Sequence, residues 1–100
     1  PVVFAIFVAQ KETVANDAPL LREVCRSYRA SLKILREERE LLVSRAAAMY
    51  PDIRYDISSY YSCLRFEFTD ELKDALAFYF REAYEAGILA EVRELEFAKL

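Results

Sequence analysis

Residues 1–9, Pro1-Val2-Val3-Phe4-Ala5-Ile6-Phe7-Val8-Ala9, constrain the fold more than any other stretch of this chain. From Val2 to Ala9 every residue is apolar, mostly β-branched or aromatic, and no polar residue alternates with them. Such a run predicts a strand covered on both faces, as in a parallel or mixed sheet with helices packed around it. Pro1 can precede a strand of this kind but could not sit inside it. A buried strand cannot satisfy its own backbone N–H and C=O groups, so it needs sheet neighbours. Only two further candidates are present, both short, at residues 64–68 and 95–97. The expected sheet is therefore incomplete within these residues. The apolar run also begins at residue 2, behind a proline and not a methionine with a polar leader. The chain is expected to be a piece of a longer protein.

One hundred residues with 55% apolar content suffice for one small core and no second domain. Fourteen basic and 17 acidic residues leave a net charge of -3 with no basic block, so nucleic acid is not an expected partner. No apolar run approaches the roughly 20 residues of a membrane span, so no membrane partner is expected either. The chain has no His, which removes His-based acid–base catalysis and the commonest transition-metal ligand. Gly87 is the single glycine, too few for a P-loop or a dinucleotide turn. Cys25 and Cys63 each fall at an apolar position of a helical pattern and read as reduced, buried thiols. Two cysteines without His make a poor zinc site. No metal or cofactor is expected.

Residues 10–16 read as a polar connection, with Asp17 or Asn16 capping the next helix and Pro19 tolerated in its first turn. Leu20, Leu21, Val24, Cys25, Tyr28, Leu32 and Leu35 follow at helical spacing and form one apolar stripe. Arg22, Glu23, Arg26, Arg29 and Lys33 lie off it, as a solvated face. The charged run Arg36-Glu37-Glu38-Arg39-Glu40 predicts a bend near Arg36 between two helices, the second ended by Pro51. Asp52 is the expected cap of a third helix carrying Ile53, Ile57, Tyr60, Tyr61 and Leu64 on one face. Ser58 and Ser59 sit opposite with no base or oxyanion donors to make either a nucleophile. The tyrosines read as core aromatics with hydrogen-bonded hydroxyls.

Residues 65–100 are where every local signal agrees. Leu64, Phe66 and Phe68 alternate with Arg65 and Glu67, the pattern of a half-buried strand. Thr69 is a good N-cap, and Asp70 and Glu71 complement the start of a helix. Leu72, Ala75, Leu76, Tyr79, Phe80 and Ala83 keep helical phase, and Gly87 follows as a left-handed stop onto which Ile88 can fold back. Leu95 and Phe97, flanked by Glu94 and Glu96, read as a final edge-like strand.

In this order the segments resemble the C-terminal part of the chorismate dehydratases of the futalosine route to menaquinone. That family has a strand opening on Pro and running through aromatic and aliphatic residues to a small one, as residues 1–9 do, often with Trp where this chain has Phe7. Two helices follow, then a short tyrosine-containing helix and a segment similar to Leu64-Arg65-Phe66-Glu67-Phe68. The ending is the most specific part. Phe80-Arg81-Glu82-Ala83-Tyr84-Glu85-Ala86-Gly87-Ile88-Leu89, then Glu94-Leu95-Glu96-Phe97, looks like that family's C-terminus.

The resemblance implies an α/β chain, helix-dominated, that forms the C-terminal segment of a two-lobed, periplasmic-binding-protein-like type II fold. Residues 1–9 would be a buried hinge strand and residues 17–64 helices. Residues 65–100 would be a strand–helix–strand that completes the first lobe, the whole chain forming a single partial domain. The implied activity is that of a cytoplasmic hydro-lyase that removes water from chorismate to give 3-[(1-carboxyvinyl)oxy]benzoate. The implied partner is that small molecule, bound in the cleft between the lobes. Phe4 and Phe7 are the candidate cleft-lining residues. No catalytic residue carries over, and this chain by itself is expected to be inactive. Two other readings stay open: a non-catalytic solute-binding protein of the same fold, and a small helical module that holds a partner on its tyrosine-rich faces.

Overall fold

The computed structural model describes all residues 1–100. Five helices follow one another along the chain: α1 Lys11–Asn16, α2 Ala18–Glu37, α3 Arg39–Met49, α4 Ile57–Cys63 and α5 Asp70–Glu85. They hold 60% of the residues, and no residue belongs to a strand. This corrects the expected α/β class: neither the buried hinge strand nor the two short strands are present. Residues 1–9 form no ladder, and Phe4, Phe7 and Val8 are each more than four-fifths exposed. A strand exists only as a member of a hydrogen-bonded ladder, and an apolar run without a partner cannot make one. The alternation at 64–68 and 95–97 likewise meets no neighbouring strand.

Two compact units divide the chain, one of residues 1–18 with 67–100 and one of residues 19–66. The first unit contains α1 and α5. Helix α1 replaces the polar connection expected at residues 10–16, and Asp17 closes it by donating its N–H to the Thr13 carbonyl at 2.8 Å. Asp17 is the single residue between α1 and α2. Helix α5 starts as expected: the Thr69 hydroxyl accepts the Leu72 N–H, and Asp70 and Glu71 lie in its first turn. Its apolar phase buries Leu72 and Leu76, the only two core side chains of the chain.

The end of α5 is closed by capping hydrogen bonds. Gly87 has φ 76°, and its N–H donates to the Tyr84 carbonyl at 3.0 Å while the Ile88 N–H donates to that of Ala83 at 2.9 Å. This pair of bonds is the Schellman arrangement, which satisfies carbonyls that a bare helix end leaves open. Beyond it, Phe97 packs at 6.0 Å between ring centres against Phe68, with the Lys73 ammonium 4.7 Å over its ring. Glu96 pairs with Lys11 at 3.0 Å, both largely exposed.

The second unit is built from α2, α3 and α4. On α2 the stripe is set by spacing: Leu21, Cys25, Tyr28, Leu32 and Leu35 are half-buried, while Leu20 and Val24 at its margins are exposed. The expected bend falls at Glu38, whose φ -121° and ψ 32° leave helical space. Hydrogen bonding runs on across it, from Glu38 N–H to Ile34 at 2.8 Å and from Leu42 N–H to Glu38 at 3.1 Å. Helix α3 stops at Met49, ahead of Pro51, which has no N–H to continue the ladder.

The cap of α4 is Asp56 and not Asp52, so Ile53 lies outside the helix. Asp52 and Asp56 are equally suited by residue type; the turn closed by Ile53 N–H to the Tyr50 carbonyl occupies the earlier position. Both cysteines are unbridged thiols, but only Cys25 is half-buried and Cys63 is exposed. Tyr28 fits the expected hydroxyl bonding, donating to the Phe66 carbonyl at 2.8 Å. Tyr60 and Tyr79, expected in the core, are more than half exposed.

Candidate functional site

The candidate site lies wholly within the unit of residues 19–66. Helices α2 and α3 continue one phase across the bend, which brings Leu35, Leu42, Ala46 and Met49 to one side. Tyr61 of α4 and Phe66 beyond it face them, and Arg45 and Tyr50 complete the wall of an open cavity of about 380 Å³. The wall is almost entirely apolar. Its polar groups are one guanidinium and two phenol hydroxyls, with no carboxylate and no thiol. An arrangement of this kind can hold an apolar ring and offer a cation to an anionic substituent. It contains no carboxylate, imidazole or thiol to act as a general base.

A second, smaller hollow of about 230 Å³ lies on the other side of α3, lined by Val43, Ala47, Tyr50, Pro51, Ile53, Tyr55, Asp56 and Ile57. Its one carboxylate is already engaged. Asp56 Oδ2 accepts the Ser59 N–H at 3.2 Å and the Ser59 hydroxyl at 2.6 Å. These bonds, the hydroxyl's first, hold the Asp56 carboxyl below its ordinary value of 3.8. The sequence offered Ser59 no base; the structure supplies an acceptor whose lowered basicity makes it a cap and not a base.

Arg39, the first residue of α3, ties that helix to α4. Its Nη2 donates to the Ser58 carbonyl at 2.6 Å and to the Ser62 hydroxyl at 2.8 Å, and that hydroxyl donates onward to the same carbonyl at 3.0 Å. A charged donor shared by two neutral acceptors is a strong tie at a half-buried place. It positions Tyr61, one residue from Ser62, as part of the cavity wall. Sequence reasoning placed Arg39 in a charged run and could not assign it a partner 19 residues away. No group of three or more His, Cys, Asp or Glu side chains could hold a metal ion.

The family model described as menaquinone biosynthesis matches residues 1–85. The chain belongs to the menaquinone biosynthesis family. Comparison with curated proteins and with solved structures found no match. Membership assigns the protein a part in menaquinone biosynthesis, in keeping with the resemblance drawn from its motifs. The match takes in both hollows and Arg39, and it ends at the last residue of α5, before Gly87.

Of the two residues expected to line a cleft, Phe4 is 91% and Phe7 81% exposed, both on the segment that precedes α1. Neither lines the cavity of residues 35–66. That cavity was legible only in part. The helical phase from Leu35 to Met49 was visible in the sequence, but the closing wall of Tyr61 and Phe66 depends on where α4 sits. No helix of this menaquinone biosynthesis family member is long and apolar enough to cross a membrane.

Proposed function

We propose that this member of the menaquinone biosynthesis family is a chorismate dehydratase, a hydro-lyase that removes water from chorismate to give 3-[(1-carboxyvinyl)oxy]benzoate. The observation that carries the reading is the family match over residues 1–85, joined to the motif order that ends in Ala86-Gly87-Ile88. Within the protein the residues described above act as scaffold. The cavity of residues 35–66 is lined by no carboxylate, imidazole or thiol that could take a proton from carbon. Phe4 and Phe7 contribute apolar surface to the substrate cleft, and chorismate is the small-molecule partner. The reaction is cytoplasmic.

The test is direct. The complete gene product, incubated with chorismate, forms 3-[(1-carboxyvinyl)oxy]benzoate with loss of one water, followed by chromatography and mass spectrometry. Residues 1–100 alone form none. A complete product that leaves chorismate untouched sinks the assignment of reaction, and turnover by residues 1–100 alone sinks the scaffold role.

A further inference from the structure

Arg45 is an unneutralised cation in the wall of the larger hollow, within the unit of residues 19–66. It lies about 40° round α3 from Met49, at the border of the stripe of Leu42, Ala46 and Met49. The residues three and four places away on either side are Leu41, Leu42, Ala48 and Met49, so no carboxylate adjoins it along the helix. Glu40, the one acidic residue of α3, is about 160° round from Leu42, on the far side. Helix α4, which faces the stripe, contains no charged residue. Arg45 is exposed and forms no ion pair. The other cation of α3, Arg39, is held by a carbonyl and a hydroxyl, neither of which cancels its charge.

The hollow is long for its volume. Hydrogen bonding runs on across the bend at Glu38, so Leu35 and Met49 are about 21 Å apart along the helical rise. A compact hollow of 380 Å³ would be only about 7 Å across, a third of that span. The wall therefore describes a narrow apolar trough with one positive charge toward its Met49 end. Its volume falls at the small end of ligand sites, which run from roughly 300 to 1,000 Å³.

We propose that this trough binds a medium-length acyl carboxylate, with the carboxylate on Arg45 and the chain laid over Leu42 toward Leu35. From Arg45 to Leu35 the helix rises about 15 Å, which leaves room for such a chain. The aliphatic side chains take the methylenes out of water, and the guanidinium supplies two parallel donors to the carboxylate. Because the hollow is open, the anion reaches Arg45 without being taken wholly out of water, which spares most of the desolvation cost. The inference does not rest on the reaction assigned above.

Met49 is the single methionine of the chain, so its labelled methyl reports on the trough in NMR titrations. Octanoate is expected to shift that methyl saturably, and octanol to bind roughly tenfold or more weakly for want of the charge. Arg45→Met keeps an apolar stem and removes the cation. It should weaken octanoate by roughly tenfold and leave octanol unchanged. Arg22→Met, the same change of charge at an exposed position outside the wall, should leave both unchanged. Octanoate that leaves the Met49 methyl unmoved overturns the proposal. So does octanol that binds as tightly as octanoate, or an Arg22→Met effect equal to that of Arg45→Met. Naphthoate that binds more tightly than octanoate overturns the chain-shaped occupant in favour of a ring. Should Arg45→Met lose its helices by circular dichroism, the comparison of octanoate with octanol on the unaltered chain decides by itself.

Discussion

Replacing Gly87 by L-alanine and by D-alanine isolates one backbone requirement from everything around it. The glycine has φ 76°, and a Cβ built there meets nothing within 4 Å. The cost of L-alanine is therefore conformational and not steric against neighbours. A left-handed L-residue costs about 1–2 kcal/mol, offset by about 0.4–1 kcal/mol because alanine has less freedom than glycine in the unfolded chain. The net expectation is a loss of roughly 1 kcal/mol. D-alanine prefers positive φ and keeps the unfolded-state advantage, so it should stabilise by about 0.5 kcal/mol or more. Both proteins can be assembled by peptide ligation and unfolded in urea, with helix content followed by circular dichroism and the slope of the transition held as a control. Hydrogen exchange at the Ile88 amide, bonded to the Ala83 carbonyl at 2.9 Å, reports whether the α5 terminus itself is affected. The reasoning is refuted if L-alanine stabilises, or if D-alanine destabilises to the same degree as L-alanine.

Arg39→Ala should cost about 1.5–3 kcal/mol by urea unfolding, since it removes a charged donor from the Ser58 carbonyl and the Ser62 hydroxyl together. Ser62→Ala should cost less, because the carbonyl bond survives; equal losses for the two variants argue against the tie as described. Asp56 sets a pH dependence. Its folded pKa lies below 3.8, so the capping contribution is fully present above that value and fades as pH falls through the lower, folded value. The Ser59 amide shift followed by NMR should report this titration, and Asp56→Asn, which keeps an acceptor but does not ionise there, should abolish it.

Much of the helical organisation could be read from residue chemistry, because the forces that start and stop a helix act within one turn. Thr69 and Gly87 bound α5 as their side-chain oxygen and missing Cβ require. The charged run near residue 38 bends the long α2–α3 segment, and Pro51 follows the end of α3. Where two local solutions were equally good, local reasoning failed. Asp52 and Asp56 are both competent caps, and the turn at residues 50–53 chose between them. The six-residue helix α1 was missed because a polar run carries no periodicity to detect.

The candidate cavity divides the same way. Its α2–α3 wall follows from spacing, while Arg39's reach to α4 and the placement of Tyr61 and Phe66 are contacts between elements that no local pattern encodes.

The run with which the chain opens shows most plainly what sequence and structure each decide. Its composition by itself determines that residues 2–9 are apolar on every side and unsuited to water. Whether they form a strand is a tertiary matter, because a ladder needs a second strand's donors and acceptors at about 4.8 Å. Within these 100 residues none is supplied, and the segment carries its aromatic side chains exposed. Helices close their hydrogen bonds within themselves and so appear where the sequence writes them; strands close theirs with a partner, and only the tertiary structure decides whether that partner is there.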